Sequence, residues 1–346
     1  MEFRKLSQAG LEVSQICLGT MTFGEQTSLE EGHRQIAYAR EVGINFIDTA
    51  EMYSVPGREE TQGSTETIIG KWFAIHPEQR KDWVIASKVT GPSPLFEYIS
   101  SDLRFSPKRL ESALDGSLNR LKTDYIDLYQ LHWPERKTNC FGVLGYSKHD
   151  SDWKDNFDEV ADTLNAFIAK GKIRAWGLSN ETPWGVLRCL TKAKSENKVA
   201  PVSIQNPYNL LNRTFEIGLS EICMREKLAM LAYSPLAFGL LTGKYHLQLD
   251  KPTDRINQFS RLARYNGQRS HSATSAYLDL AKLHGLSLTE LALSFVTSRP
   301  FVTSLILGAT TLDQLKEDIK ACEVTLTEEI YEQLDLIHHQ NPNPAP

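Results

Sequence analysis

Four residues of this chain are of types that can move a proton together. Asp48 and Tyr53 open and close the run Asp48-Thr49-Ala50-Glu51-Met52-Tyr53, Lys88 follows Trp83-Val84-Ile85-Ala86-Ser87, and His132 follows Gln130-Leu131. A phenol with a pKa of about 10 is protonated at neutral pH but is a weak acid toward a carbonyl oxygen. Lowering that pKa by two to three units requires roughly 3–4 kcal/mol. One ammonium about 4 Å away supplies roughly 4 kcal/mol at an effective dielectric near 20. Asp48 would hold Lys88 charged and in place, while His132 would donate to a substrate oxygen or tune the phenol. Taken singly, each residue has a plainer use: a capping Asp, a packed surface Tyr, a rim ion pair, a satisfied core His beside Trp133 and Pro134. Their joint occurrence at three successive strand ends favours the chemical reading.

The strands that would position them are short, apolar and rich in strand formers. Ile44–Ile47 precedes Asp48, Trp83–Ser87 precedes Lys88 at its end, and Tyr125–Tyr129 precedes His132. Further runs of the same kind are Ile16–Gly19, Ile173–Trp176, Val202–Gln205, Met230–Tyr233 and Val302–Leu307. Helical patterns alternate with them. Ser28 with Glu31 predicts a capping box, and Gly43 ends that helix. Ser64 opens a helix carrying Ile68, Ile69, Trp72 and Phe73. Ser106-Pro107 opens one with Leu110, Ala113, Leu114, Leu118 and Leu121 on one face. Val160, Leu164, Phe167 and Ile168 mark the next, which Gly171 stops. Thr182-Pro183, the stretch Ala273–Leu283, and Ser287 with Glu290 mark others, the last ended by Pro300. Thr311 and Gln314 cap a helix running to about Cys322, and a final helix starts near Thr327.

Residues 3–14 read as a hairpin turning at Gln8-Ala9-Gly10. Eight strand–helix units with apolar, non-alternating strands predict a parallel sheet covered by helices, closed as a (β/α)8 TIM barrel. The expectation is an α/β fold in which residues 1–346 form a single domain, with the N-terminal hairpin and extra C-terminal helices added to the barrel. Active sites of such barrels gather just past the strands' C-terminal ends, where all four residues fall. Two long polar stretches, 134–156 and roughly 238–266, lack a clear period, and loops of that length are usually functional or mobile.

Composition narrows the function classes. Hydrophobic content of 41% and charged content of 23% are ordinary for a globular chain with a large core. A net charge of −5 argues against a non-specific nucleic-acid or anionic-membrane binder. No apolar run approaches a membrane span, and Met1–Lys5 lacks a signal-peptide core, so the expected location is cytoplasmic. Cys17, Cys140, Cys189, Cys223 and Cys322 are odd in number and scattered, as free thiols are in a reducing compartment. No Cys or His pair has zinc spacing, so no metal is expected.

From end to end the chain resembles the aldo-keto reductase superfamily. The resemblance lies in Leu18-Gly19-Thr20-Met21, the Asp48–Tyr53 run, Ala86-Ser87-Lys88 and Gln130-Leu131-His132-Trp133-Pro134. It continues in Gly177-Leu178-Ser179-Asn180, Gln205-Asn206, the stretch Ala232–Tyr245, Gly308-Ala309-Thr310-Thr311 and Gln314. It implies an NADP(H)-dependent reductase of small-molecule aldehydes and ketones, with Tyr53 as general acid and Asp48, Lys88 and His132 completing a catalytic tetrad. It further implies that Thr20 and Met21 lie at the cofactor, that Ser179, Asn180 and Gln205 hold the nicotinamide carboxamide, and that Tyr233 stacks on its ring. The pyrophosphate would be wrapped by Ser234, Pro235, Leu236, Ala237, Phe238, Gly239, Leu240, Leu241, Thr242, Gly243 and Lys244. Gly308, Thr310 and Gln314 would meet the adenosine 2′-phosphate, with Glu317 and Asp318 near the adenine. A helix start at Thr311 would independently offer free amides to a phosphate.

The chain departs from the family pattern in two places. Ser54 and the polar stretch Val55–Gln62 follow Tyr53 where Gly is usual, and Asp318 stands where Asn is frequent. A Rossmann G-x-G-x-x-G is missing, in keeping with a barrel reductase. Trp133, Phe141, Tyr146 and Trp153 are expected to line an aromatic entrance. The rival reading is a cofactor-binding regulatory subunit, since potassium-channel β-subunits resemble the same family; the intact tetrad favours the enzyme.

Overall fold

The computed structural model describes residues 1–6, 10–259 and 264–346. Its strands are β1 (Phe3–Leu6), β2 (Leu11–Ser14), β3 (Ile16–Gly19), β4 (Phe46–Asp48), β5 (Val84–Val89), β6 (Ile126–Leu131), β7 (Ile173–Ser179), β8 (Ser203–Pro207), β9 (Ala229–Tyr233) and β10 (Val302–Leu307). Its helices are α1 (Leu29–Glu41), α2 (Ser64–Ile75), α3 (Pro107–Leu121), α4 (Phe157–Ala169), α5 (Pro183–Ser195), α6 (Leu219–Glu226), α7 (Arg255–Gln258), α8 (Gln268–Leu283), α9 (Leu288–Thr297), α10 (Leu312–Ala321) and α11 (Glu328–Gln340). Strands β3 to β10 close into a barrel in chain order, β10 pairing with β3, and every rung is parallel. The expected (β/α)8 barrel is therefore the fold.

Alternate residues of the barrel strands fill its interior: Cys17, Phe46, Val84, Ala86, Leu128 and Leu231 pack together there. The antiparallel hairpin β1–β2 stoppers the strands' N-terminal end by adding Leu6, Leu11 and Val13 to that cluster. The expected hairpin turn at Gln8 and Ala9 lies outside the described residues. The outward-facing residues, among them Ile47, Ile85, Tyr129 and Trp176, join the helices in a second, larger core. Among the described residues no helix is long and apolar enough to cross a membrane.

Several boundaries differ from the sequence expectation for identifiable reasons. β4 starts at Phe46 rather than Ile44. The Ile44 amide closes α1 onto Ala39 O at 2.8 Å, and Asn45 is drawn to the hairpin, its Oδ1 accepting from Ser14 N at 2.8 Å. β5, β6 and β7 run on to Val89, Leu131 and Ser179, past the points where their apolar character stops. The ladder continues through Lys88 opposite Gln130 and Gln130 opposite Gly177, so Lys88 lies within its strand. Helix α6 and the short α7 carry no signal that the sequence reading used, and α7 falls in the stretch read as a long polar loop.

Both N-terminal caps of the first and tenth helices are redirected. Ser28 Oγ accepts from Glu31 N at 3.2 Å, but the Glu31 carboxylate does not return the bond and accepts instead from Leu312 N at the start of α10. Thr311 Oγ1 accepts from Gln314 N at 3.3 Å, while Gln314 Oε1 accepts from Thr310 N at 3.1 Å. Two amides expected to be open to a phosphate are thus already engaged.

Candidate active site

A cleft of about 1550 Å³ opens at the C-terminal ends of the barrel strands. Asp48 terminates β4 and Lys88 sits one residue before the end of β5, directly across the ladder from Gln130. The loop after β4 returns Tyr53 over this pair. Its course is fixed by Glu51, whose carboxylate accepts from Thr90 N at 2.9 Å and pairs with Arg109 at 2.6 Å. The Glu51 amide meanwhile donates to Lys88 O at 3.0 Å.

Lys88 is fully buried, and its Nζ donates to Asp48 Oδ2 at 2.6 Å, Thr49 O at 2.8 Å and Tyr53 Oη at 3.4 Å. Burial alone would lower the ammonium pKa; Asp48 and then Tyr53 outweigh it and raise the value, so Lys88 stays charged. Asp48 is held on its other oxygen by Gln205 Nε2 at 2.8 Å and Gln130 Nε2 at 3.4 Å. Neighbouring charge and hydrogen bonds therefore satisfy the buried pair on every side.

The expected lowering of the Tyr53 pKa is not what this geometry produces. Burial of the phenol is the largest influence and raises its pKa; Lys88 works against it and Asp48 adds to it. The phenol is therefore firmly protonated, with a cation already beside the oxygen that would become anionic. His132 packs edge-on to Tyr53 with ring centroids 5.5 Å apart. Burial and then Lys88 hold its imidazole well below the usual histidine range, which makes it neutral, and its buried Nδ1 has no partner among the described residues. A neutral imidazole offers one donor and one acceptor, and here neither ring nitrogen bonds to a described residue.

Beyond Tyr53 and His132 the cleft wall is aromatic: Trp133 lies 5.7 Å from Phe96 and 6.0 Å from Phe141, centroid to centroid. Trp133 and Phe141 thus line the entrance as expected, whereas Tyr146 and Trp153 do not. Tyr146 is exposed against His149, and Trp153 packs on Phe157 and Trp184 outside the cleft. Phe96 and Met52, which the sequence reading did not single out, complete the wall.

The residues expected at a nucleotide are spread along the rest of the cleft. Thr20 and Met21 line it beside Asp48, and Thr20 Oγ1 donates to Asp48 O at 2.8 Å. Ser179, Asn180, Gln205 and Tyr233 converge opposite Tyr53. Tyr233 Oη donates to Asn180 Oδ1 at 2.6 Å, Asn180 Nδ2 donates to His132 O at 2.9 Å, and Ser179 Oγ donates to Gln205 O at 2.9 Å. With these donors committed, what the group still presents is acceptor capacity, suited to an amide NH2. Ser234, Pro235, Leu236, Phe238, Gly239, Thr242 and Lys244 follow along the wall, but Ala237, Leu240 and Leu241 turn their side chains into the core and Gly243 does not reach the cleft.

That loop is curled: Ser234, Ala237, Phe238 and Gly239 have φ of 55°, 49°, 56° and 93°. Gly239 is where the curl needs glycine most, since an added Cβ would also lie 3.4 Å from the Lys244 side chain. Lys244 Nζ pairs with Asp254 at 2.6 Å. Next to this, Arg255 lines the cleft with no ion-pair partner among the described residues, and burial lowers its pKa to about 10. Its guanidinium lies 5.7 Å from the Phe238 ring. A half-buried cation without an ion-pair partner among the described residues, close to a second cation, is a donor set that fits a phosphate group. Arg255 was not foreseen, because one Arg in an aperiodic polar stretch carries no sequence signal. At the far end of the cleft Gly308, Thr310, Gln314, Glu317 and Asp318 are all on the lining.

Comparison with known proteins bears on this arrangement. The profile of the Aldo/keto reductase family matches residues 15–338. Protein tas of Escherichia coli (strain K12) is 48% identical over 348 residues, covering 100% of both chains. The uncharacterized oxidoreductase YrpG of Bacillus subtilis (strain 168) is 34% identical, covering 97% of this chain and 95% of that one. A probable voltage-gated potassium channel subunit beta of Oryza sativa subsp. japonica is 29% identical, covering 99% of this chain and 98% of its own.

Proposed function

We infer the function from one premise: the chain belongs to the aldo/keto reductase family and is an oxidoreductase of that kind. On that premise we propose a cytoplasmic, single-domain enzyme that reduces aldehydes or ketones to alcohols with NADPH. The observation that carries the proposal is Lys88 Nζ, held 2.6 Å from Asp48 and 3.4 Å from the oxygen of Tyr53, buried behind the cleft wall that Tyr53 and a neutral His132 line. The five cysteines are free, as suits a reducing compartment.

The nicotinamide, when bound, supplies a hydride to the carbonyl carbon. The protein's part is the proton. Tyr53 Oη donates to the carbonyl oxygen and delivers its proton as negative charge develops there. The phenolate left behind is stabilised by Lys88, whose charge Asp48 secures, so the cation acts mainly as the proton leaves. His132 lines the cleft and orients the same oxygen through Nε2, the ring nitrogen that is not buried. Trp133, Phe96 and Phe141 exclude water from the carbonyl face.

In this reading Ser179, Asn180 and Gln205 accept from the carboxamide, and Tyr233 packs on the nicotinamide ring with Thr20 and Met21 close by. The loop from Ser234 to Lys244 holds the pyrophosphate with Arg255. Gly308, Thr310, Gln314, Glu317 and Asp318 meet the adenosine end. A second reading, a nucleotide-binding regulatory subunit, is favoured by the likeness to the potassium-channel β-subunit.

Fluorescence titration with NADPH and, in parallel, NADH tests the nucleotide site. Single-turnover oxidation of bound NADPH by a panel of aldehydes then tests the chemistry. Loss of turnover in Tyr53→Phe with nucleotide binding retained is the expected result; equal turnover in both proteins would remove Tyr53 as the acid. Binding without turnover for any carbonyl would favour the regulatory subunit.

A further inference from the structure

The end of the cleft formed by α10 is more acidic than a phosphate site should be. The face of α10 turned to the cleft carries Gln314, Glu317, Asp318 and Ala321, at the i, i+3, i+4 and i+7 spacing of one helical stripe, with Thr310 lining the cleft just before the helix. Asp318 is only 8% exposed, lines the cleft, and its carboxyl oxygens accept no hydrogen bond from any described residue. Buried carboxylates are normally paired or hydrogen-bonded, so an unpartnered one facing a cleft is a group waiting for a ligand or a proton.

Its charged surroundings can be read element by element. On α10 itself the neighbours are Glu317 and the exposed Lys320, and the thiol of Cys322 follows the helix. From α9 comes Glu290, whose carboxylate is held by Ser287 N at 2.8 Å. From the loop after β9 comes Lys244, already paired with Asp254. Among the described residues no cation is dedicated to Asp318.

Resting on the nucleotide reading above, we propose that Asp318 sets the preference for a 2′-phosphorylated nucleotide through its own protonation. Neutral, the carboxyl tolerates the added phosphate and can donate to it or to the adjoining base. Ionised, it joins Glu317 and Glu290 in repelling that phosphate. The nucleotide lacking the 2′-phosphate brings less negative charge to this end and responds less. Burial, then Glu317, pushes the Asp318 carboxyl up to about 7, with Lys244 opposing, which places the change within an ordinary working range.

The test is the dissociation constant of NADP⁺ and of NAD⁺, measured by fluorescence or calorimetry between about pH 5.5 and 8.5, for the wild type and Asp318→Asn. A phosphate monoester has a second pKa of about 6, and this ionisation of the ligand is common to both proteins. The comparison therefore isolates the side chain. The expected result is that the preference for NADP⁺, taken as the dissociation constant of NAD⁺ divided by that of NADP⁺, falls about tenfold or more with rising pH in the wild type relative to Asp318→Asn, a fold-change that corresponds to about 1.4 kcal/mol. A stable Asp318→Asn protein whose ratio follows the same pH course as the wild type would overturn the proposal while leaving the nucleotide site standing. Failure of either protein to bind either nucleotide at any pH would instead overturn the nucleotide reading and this proposal with it. Asp318→Glu, which restores a titrating group, should restore pH dependence and guards against an effect of Asn packing alone.

Discussion

Lys88 holds its ammonium nitrogen 3.4 Å from the phenolic oxygen of Tyr53 at a point with no solvent exposure, and Asp48 anchors it from 2.6 Å on the other side. Two groups so placed act as a unit. Tyr53→Phe and Lys88→Met should each lower kcat by about 10²–10⁴-fold, and the double variant should lose little more than the worse of the two. Steady-state kinetics of the three variants decide it. Multiplicative losses would mean that the two residues act separately.

The pH profile should carry the same signature. Burial raises the Tyr53 pKa above its ordinary value and depresses that of His132 well below. The pH dependence of kcat/KM should therefore show no limb from a histidine near about 6.5 and no phenol limb below about 10. A limb at either position that disappears in His132→Asn or Tyr53→Phe would contradict the electrostatics of the site.

The loop that delivers Tyr53 depends on a buried ion pair. Glu51 and Arg109 are 4% and 7% exposed, 2.6 Å apart, and the same carboxylate receives Thr90 N. Arg109→Ala should destabilise the fold by about 3–5 kcal/mol, because it strands a buried carboxylate. Urea unfolding measures this. A change below about 1 kcal/mol would place the pair among exposed bridges of little worth.

Asp318 makes a stability prediction independent of nucleotide. Its folded pKa of about 7 lies above the value of about 3.9 for an unfolded aspartate, so the folded state binds the extra proton. Its contribution is most favourable below about pH 4 and is lost as pH rises toward 7. Asp318→Asn should thus melt higher than wild type at pH 8, with the difference shrinking as the pH approaches 4. Calorimetric melting curves at the two pH values check the sign.

Arg255→Ala should weaken nucleotide binding about tenfold or more, as expected for loss of a charge-assisted contact to a phosphate. The salt dependence of binding should flatten with it. Titrations at low and high ionic strength read both effects, and an unchanged dissociation constant would remove Arg255 from the site.

Local chemistry made much of this legible in the chain itself. Apolar runs marked eight barrel strands, because a strand buried on both faces must be apolar throughout. Ser106-Pro107 and Thr182-Pro183 marked helix starts, because a side-chain oxygen and a preset φ satisfy the first turn locally. Asp48, Tyr53, Lys88 and His132 followed from their places at strand ends. What stayed hidden depends on distant partners. The ends of β5 to β7 carry polar residues that only the neighbouring strand keeps in the ladder. Glu31 looked like half of a capping box, yet its carboxylate caps a helix 281 residues away. The charge state of Tyr53 could not be read from Lys88's proximity, because desolvation exceeds the pull of the ammonium and is a property of the closed barrel. Residue types and spacing determined which groups meet; the packed interior decided which of them keep their protons.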